Sequence, residues 1–265
     1  MDEYEREALD KQRYYHVVKG NELVQKSRYE LSLPEQKTIA YICSMIKPVD
    51  VTDSVQGVPY QLEYEFNIRE YCKVCGFDYD NGKNYADIKA TLKHLRDKSM
   101  WLTMENGSET LVGWLSRVTV NKQSGIVKIK LDDILVPFLF DLGQRFTEYR
   151  LIQILGMKSA YSVRIYELLK SYAYQKSKTF GLDELKRLLM VDGIESYNRF
   201  PDFRRKVLEI AVKEINKLTD LNVSYEAIKK GRKVDKLKFR IETKESIPQL
   251  FARLETGKIL DEKQK

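Results

Sequence analysis

The sequence predicts an α+β chain built of two tandem units of one plan, related as a pseudo-repeat. Three observations predict it. Apolar residues recur at helical spacing in some stretches and alternate as strands in others, with Gly and Pro between them. The order of elements is the same in both halves of the 265 residues: long helix, short strand, short helix, turn, second helix, β-hairpin. The spacing agrees too. Phe66-Asn67-Ile68 overlays Phe180-Gly181-Leu182, Tyr85-Ala86-Asp87-Ile88 overlays Phe200-Pro201-Asp202-Phe203, and the separations from Ile68 to Ile88 and from Leu182 to Phe203 are 20 and 21 positions.

Residues 1–20 read as a charged, helical lead-in. Ser32 then N-caps a helix opening at Leu33-Pro34-Glu35-Gln36: Glu35 completes a capping box and Pro34 suits the first turn. Ile39, Ile42, Cys43 and Ile46 carry it to Pro48. Gly57-Val58-Pro59 is a loop. Leu62, Tyr64 and Phe66 share one face of a strand over 61–66. Ile68–Val74 is a short helix ended by Gly76, residues 78–82 a turn, and Tyr85–Arg96 a longer helix with Ile88, Leu92 and Leu95 inward. Met100–Met104, Thr110–Val120 and Gly125–Leu131 are strands, with Lys122-Gln123-Ser124-Gly125 closing a hairpin. Ile134–Leu142 reads as helical. In the second half, Ala160–Tyr174 is a long helix, Phe180–Leu182 is strand-like, Asp183–Leu189 is a short helix and Pro201–Leu218 a long one. Asn222–Ile228 and Val234–Ile241 are strands joined by a tight turn over 229–233. This order is the plan of a winged helix, a helix-turn-helix variant whose second helix enters a DNA major groove. With the boundary near 143–156, the chain divides into an N-terminal unit (1–148), a C-terminal unit (149–245) and a tail (246–265).

Composition narrows the class. Hydrophobic residues are 43% and charged residues 32%, enough for a folded core. No run approaches the roughly 18 apolar residues of a membrane span, and the charged start carries no signal-peptide pattern. Three cysteines, Cys43, Cys72 and Cys75, are too few for a disulfide scaffold, so a cytoplasmic, reducing setting is expected. The net charge of +7 is unevenly spread. Residues 1–150 hold 21 Lys and Arg against 23 Asp and Glu, a net −2, whereas residues 151–265 hold 25 against 16, a net +9. Residues 199–240 alone hold 13 against 6. A basic segment of this kind calls for a polyanion: nucleic acid first, an anionic membrane surface second.

The candidate site follows from that segment. Taking 100° per residue from Phe203, Val207, Leu208, Ile210, Ala211, Ile215 and Leu218 form the buried arc of the Pro201–Leu218 helix. Asp202, Arg205, Lys206, Glu209, Lys213 and Lys217 form the opposite arc. Recognition helices reach base edges from their N-terminal residues. Arginine suits guanine and asparagine suits adenine there. Tyr197, Asn198, Arg199, Arg204, Arg205 and Lys206 are the candidate readers, although Arg204 falls within the apolar arc and its stem can instead cover the core. Lys213 lies further along. The turn offers Lys229, Lys230, Arg232 and Lys233 around Gly231 as phosphate contacts. Tyr85, Lys89, Lys93 and Arg96 are weaker counterparts in the first unit, partly offset by Asp87 and Asp97.

No catalytic centre is expected. The stretch from Gly76 to Asn84 resembles a phosphate-binding loop but has five residues between its glycines, and Asn84 replaces the metal-binding hydroxyl. Cys72 and Cys75 form a lone pair, best read as facing a core. His16 and His94 form no cluster, so neither a metal nor a cofactor is implied. A tyrosine-based nicking enzyme lacks the histidine-held metal that usually accompanies it.

The residues resemble the iteron-binding plasmid replication initiators of bacteria. Val17-Val18-Lys19-Gly20-Asn21-Glu22-Leu23-Val24-Gln25 and Leu31-Ser32-Leu33-Pro34-Glu35-Gln36-Lys37 look like that family's start. Ser162-Val163-Arg164-Ile165-Tyr166-Glu167-Leu168-Leu169 resembles the opening helix of its second domain. Phe200-Pro201-Asp202-Phe203-Arg204-Arg205-Lys206-Val207-Leu208 is similar to its recognition helix. Lys213-Glu214-Ile215-Asn216 and Lys229-Lys230-Gly231-Arg232 are similar to the end of that helix and the wing. The resemblance covers about residues 15–245. It implies two winged helices on directly repeated origin sequences (iterons) and on the gene's own operator. It also implies a monomer that opens the origin, a homodimer through the N-terminal unit that limits copy number or represses, and recruitment of the host initiator and replicative helicase. It implies no chemistry by the chain itself. A dedicated winged-helix repressor without a replication role is the alternative.

Overall fold

The structure of the chain, a computed structural model, describes residues 11–46, 60–77, 82–104, 106–143 and 145–244. Strand β1 (His16–Gly20) passes directly into helix α1 (Asn21–Lys26). Helix α2 (Leu33–Met45) begins as its sequence dictates. The Ser32 N–H donates to Glu35 Oε2 at 2.7 Å and the Glu35 N–H donates to Ser32 Oγ at 3.5 Å. Strand β2 (Glu63–Asn67) runs into helix α3 (Ile68–Cys75), with Asn67 Oδ1 accepting the Arg69 N–H at 2.8 Å. Gly76 ends α3 at φ +72, a left-handed geometry that carries no steric penalty for glycine. Helix α4 (Gly82–Asp97) is followed by β3 (Ser99–Thr103), β4 (Glu109–Gly113), β5 (Leu115–Val120) and β6 (Ile126–Leu131). A short helix α5 (Val136–Leu139) leads to β7 (Phe146–Arg150) and α6 (Ile152–Leu155).

The second unit repeats the first. Helix α7 (Ala160–Ser171), strand β8 (Ser177–Gly181) and helix α8 (Leu182–Leu188) come in the same order as α2, β2 and α3. Helix α9 (Phe200–Phe203) continues through a π-helical turn, Arg204–Leu208, into α10 (Glu209–Leu218). Strands β9 (Leu221–Lys230) and β10 (Lys233–Thr243) form the hairpin. Both three-stranded sheets place the last strand in the middle, β2-β6-β5 and β8-β10-β9, all antiparallel. The sequence overlay holds at its key joints: β2 ends at Asn67 where β8 ends at Gly181, and Ile88 and Phe203 are both buried.

The two units share one core, which includes Ile42, Tyr71 and Trp114 of the first and Tyr166, Phe180 and Phe203 of the second. They are also joined by a two-stranded sheet. Strand β1 pairs with β7, Val17 opposite Tyr149 and Lys19 opposite Thr147. Beneath it, Lys19 Nζ lies 2.7 Å from Glu167 Oε1, both side chains 4% exposed, and Tyr149 OH donates to the same oxygen at 2.6 Å. Arg164 donates to the Ser27 carbonyl at 2.9 Å and to Tyr29 OH at 3.2 Å. Lys37 Nζ reaches the Leu155 carbonyl at 2.6 Å. Burial alone pushes the Glu167 carboxyl up. The Lys19 ammonium, hydrogen bonds from Lys19 and Tyr149, and the Arg164 charge outweigh it, so the group ends below the ordinary carboxylate range. Burial alone likewise lowers Lys19, and Glu167 reverses that direction.

Several elements depart from the sequence reading. Residues 16–20 are a strand, not helix, buried from Val17 onward, where Lys19 is neutralised by a partner 148 positions away and needs no solvent. The expected strand Thr110–Val120 is two strands in different sheets. Trp114 turns inward between them and meets Tyr29 edge-on at 5.2 Å. The first unit therefore carries an extra hairpin, β3–β4, between its second helix and its wing. Ile134–Leu142 forms a 3₁₀ turn (Asp133–Leu135) and only four α-helical residues. The long helix Ala160–Tyr174 stops at Ser171. The loop Gly57-Val58-Pro59, the turn residues 78–81, the first ten residues and the expected tail 246–265 lie outside the described residues. The expected domain boundary at 148/149 falls within β7.

Candidate nucleic-acid interface

The Pro201–Leu218 segment shows why a plain 100° count was insufficient. The π-helical turn inserts extra arc between Phe203 and Val207, so three consecutive cations, Arg204, Arg205 and Lys206, all lie exposed. Arg204 is thus on the open face and not in the apolar arc. The buried set becomes Phe203, Val207, Leu208, Ala211 and Ile215. Ile210, expected inside, is 41% exposed, because the π turn winds fewer degrees per residue than an α-helix and everything after it lags the 100° count.

The helix is fixed from both sides. Glu214 accepts the backbone N–H groups of Lys158 at 2.9 Å and Ser159 at 3.3 Å, which ties the helix to the residues that lead into α7. Asn216 clamps β9, donating to the Val223 carbonyl at 2.9 Å and accepting the Val223 N–H at 2.6 Å. At its N-terminal end Asp202 lies 3.7 Å from Arg199 and 3.3 Å from Arg205, and Arg204 lies 3.2 Å from Glu209. These are surface pairs of the kind worth about 0–1 kcal/mol, so releasing the arginines to another anion costs little. Asn198 and Arg199 are exposed in the turn before the helix. Tyr197 is half-buried, its ring 6.0 Å from Phe203 and its hydroxyl hydrogen-bonded to Tyr161. It packs the helix start, and Lys206 Nζ lies 6.0 Å from its ring centroid. Lys213 is exposed on the same helix.

The wing brings the second cluster. Lys230 pairs with Lys233 across a two-residue loop, Gly231-Arg232, with Gly231 at φ +63. Lys229, Lys230, Arg232 and Lys233 are all exposed there. One set was missed in the sequence: Lys236, Lys238 and Arg240 point outward along β10, alternating with buried Leu237, Phe239 and Ile241. The period-2 pattern of that strand carried the signal.

The matching surface of the first unit is arranged differently. Lys93 lies 2.5 Å and Arg96 3.6 Å from Asp97, and Lys89 sits over the Tyr85 ring at 5.9 Å. The hydrogen bond from Lys93 holds the Asp97 carboxyl below its ordinary value. On the outer sheet face Arg117 pairs with Glu63 at 2.6 Å and Lys128 with Glu65 at 3.2 Å. Cys72 and Cys75 are buried in α3, and burial pushes the Cys75 thiol up, away from a metal-binding thiolate. Among the described residues no three His, Cys, Asp or Glu side chains gather as metal ligands would, and no helix is long and apolar enough to cross a membrane.

Comparison with known proteins bears on this surface. A family model described as "Initiator Replication protein, WH1" matches residues 16–170, running through β7 into α7. A second, "Initiator Rep protein, WH2", matches residues 181–241. An Escherichia coli "Replication initiation protein" is 24% identical over 233 residues, 85% of this chain and 69% of that protein. The "PI protein" of Escherichia coli is 32% identical over 170 residues, 58% of this chain and 55% of its own length. Among solved structures, "Crystal structure of Pi initiator protein in complex with iteron DNA" aligns with a TM-score of 0.68 at 22% identity, over 88% of this chain and 99% of that one. The last likeness establishes a shared fold.

Proposed function

The chain belongs to the initiator replication protein family, with two winged-helix domains, and from that premise we propose that it starts plasmid replication by binding the iterons of an origin. The observation that carries the reading is the run Arg204-Arg205-Lys206, exposed together at the start of a helix that is braced by α7 and β9 and flanked by a cationic wing. Arg205, Arg204, Lys206, Asn198 and Arg199 face base edges. Lys213 and the wing residues Lys229, Lys230, Arg232 and Lys233 hold phosphates. The relative solved on iteron DNA supports the choice of repeated duplex as ligand. The chain acts by binding and distorting DNA, without catalysis. It works in the cytoplasm on plasmid DNA, recruits the host initiator and replicative helicase, and represses its own gene as a dimer. A dedicated repressor has no observation of its own in its favour.

The homodimer reading is supported by the extra hairpin of the first unit. Trp101 and Leu111 face each other across β3 and β4 and are 60% and 54% exposed, an apolar pair on a surface that the second unit does not have.

Fluorescence anisotropy with duplexes tiled across the DNA flanking the gene, at two salt concentrations, tests the function. Binding to one repeated element at roughly 10³-fold or more over random duplex supports it. Uniform, steeply salt-dependent binding overturns it.

A further inference from the structure

Ile210 is the one apolar side chain of large size exposed on the described length of α9–α10, and the π turn puts it there. Lys206 lies one turn before it and Lys213 one turn after it, so it shares their surface. Nothing in helix stability asks for it. A β-branched residue at an exposed helical position is a poorer choice than Lys, Glu or Leu. Among the described residues of α4, the counterpart helix, no large hydrophobic is exposed.

An isoleucine between two lysines on a DNA-facing helix has little to offer a phosphate, since it neither donates nor accepts a hydrogen bond. The major groove displays one strongly apolar feature, the 5-methyl group of thymine. We propose that Ile210 is a specificity-determining residue that reads the methyl group of one thymine in the bound repeat. The inference rests on the assignment of α9–α10 as the DNA-reading helix. It adds to that assignment a base preference that hydrogen bonding cannot supply.

The test works from both sides of the contact. The full chain is titrated against the bound repeat with each thymine replaced in turn by deoxyuridine, which removes only the methyl group. The unaltered chain is expected to lose about fourfold in affinity at one position, the value of one buried methyl, and this loss is the one that Ile210 accounts for. Ile210→Ala is expected to bind the thymine and uracil duplexes equally, and Ile210→Val to retain part of the difference. Circular dichroism melts confirm that both variants fold, and the base-side arm needs no variant. No uracil-sensitive position, or the same sensitivity persisting in Ile210→Ala, overturns the inference while leaving the function standing. Absence of any sequence-specific complex overturns the function and the inference together.

Discussion

The two winged helices of this chain share a topology and differ in how they treat their cations. In the N-terminal unit the charges of α4 are spent internally: Asp97 takes Lys93 and Arg96, and the Tyr85 ring takes Lys89. The outer strands pair Glu63 with Arg117 and Glu65 with Lys128. In the C-terminal unit Arg204 and Arg205 also lie beside carboxylates, Glu209 and Asp202, but a π turn exposes three cations in sequence and the wing tip gathers four more. One fold thus gives one surface close to self-neutral and one with an excess of positive charge. The difference is made by the placement of a few carboxylates and a single turn of backbone, not by the arrangement of elements.

The comparison requires both units to be presented as one body, and the largest expected effect comes from breaking that junction. Glu167→Ala leaves the Lys19 ammonium buried without its partner and is expected to destabilise the chain by about 3–5 kcal/mol in urea denaturation. Because the folded Glu167 pKa lies below its unfolded value, its stabilisation is present above the unfolded pKa of about 4.3 and is lost as pH falls through the folded one. The acid limb of the stability curve should therefore weaken in Glu167→Gln.

The next effect sharpens the contrast between the helices. Arg205→Ala is expected to cost about 1–3 kcal/mol of binding and to relax preference at one base position, read by a panel of single-base variants. Arg96→Ala should change little, since residues 1–150 carry a net charge of −2 and set no run of consecutive cations like Arg204-Arg205-Lys206 beside it. Lys230→Ala at the wing should weaken all sequences alike and lower the slope of log K against log salt by about 0.9. The smallest effect runs the other way. Asp97→Asn releases Lys93 and Arg96, so non-specific binding should tighten slightly, with the urea midpoint unchanged.

How much of this the sequence displayed depended on the range of the interactions involved. The Ser32–Glu35 capping box, the Gly76 helix end and the Gly231 turn are local devices, legible within a few residues. The cation cluster was legible as composition. Strand β1 was not, because what makes Lys19 a strand residue is Glu167, far away in sequence. The break at Trp114 depends on its edge-on packing against Tyr29, far away in sequence, which no alternation pattern records. The π turn was hidden for a different reason. Its residues satisfy an ordinary helical pattern nearly as well, and only the misfit of Arg204 in the apolar arc signalled that the phase was wrong.

The most direct test of the central claim compares salt dependence in two triple variants. Anisotropy titrations of the cognate repeat are run across a salt series for the unaltered chain, for Arg204→Ala/Arg205→Ala/Lys206→Ala and for Lys89→Ala/Lys93→Ala/Arg96→Ala. The account predicts that the first variant loses the preference for the cognate repeat over random duplex, and that the second keeps both that preference and the salt slope nearly intact. Equal losses in the two variants would contradict it, since the N-terminal cations would then be as engaged with DNA as those of the C-terminal helix.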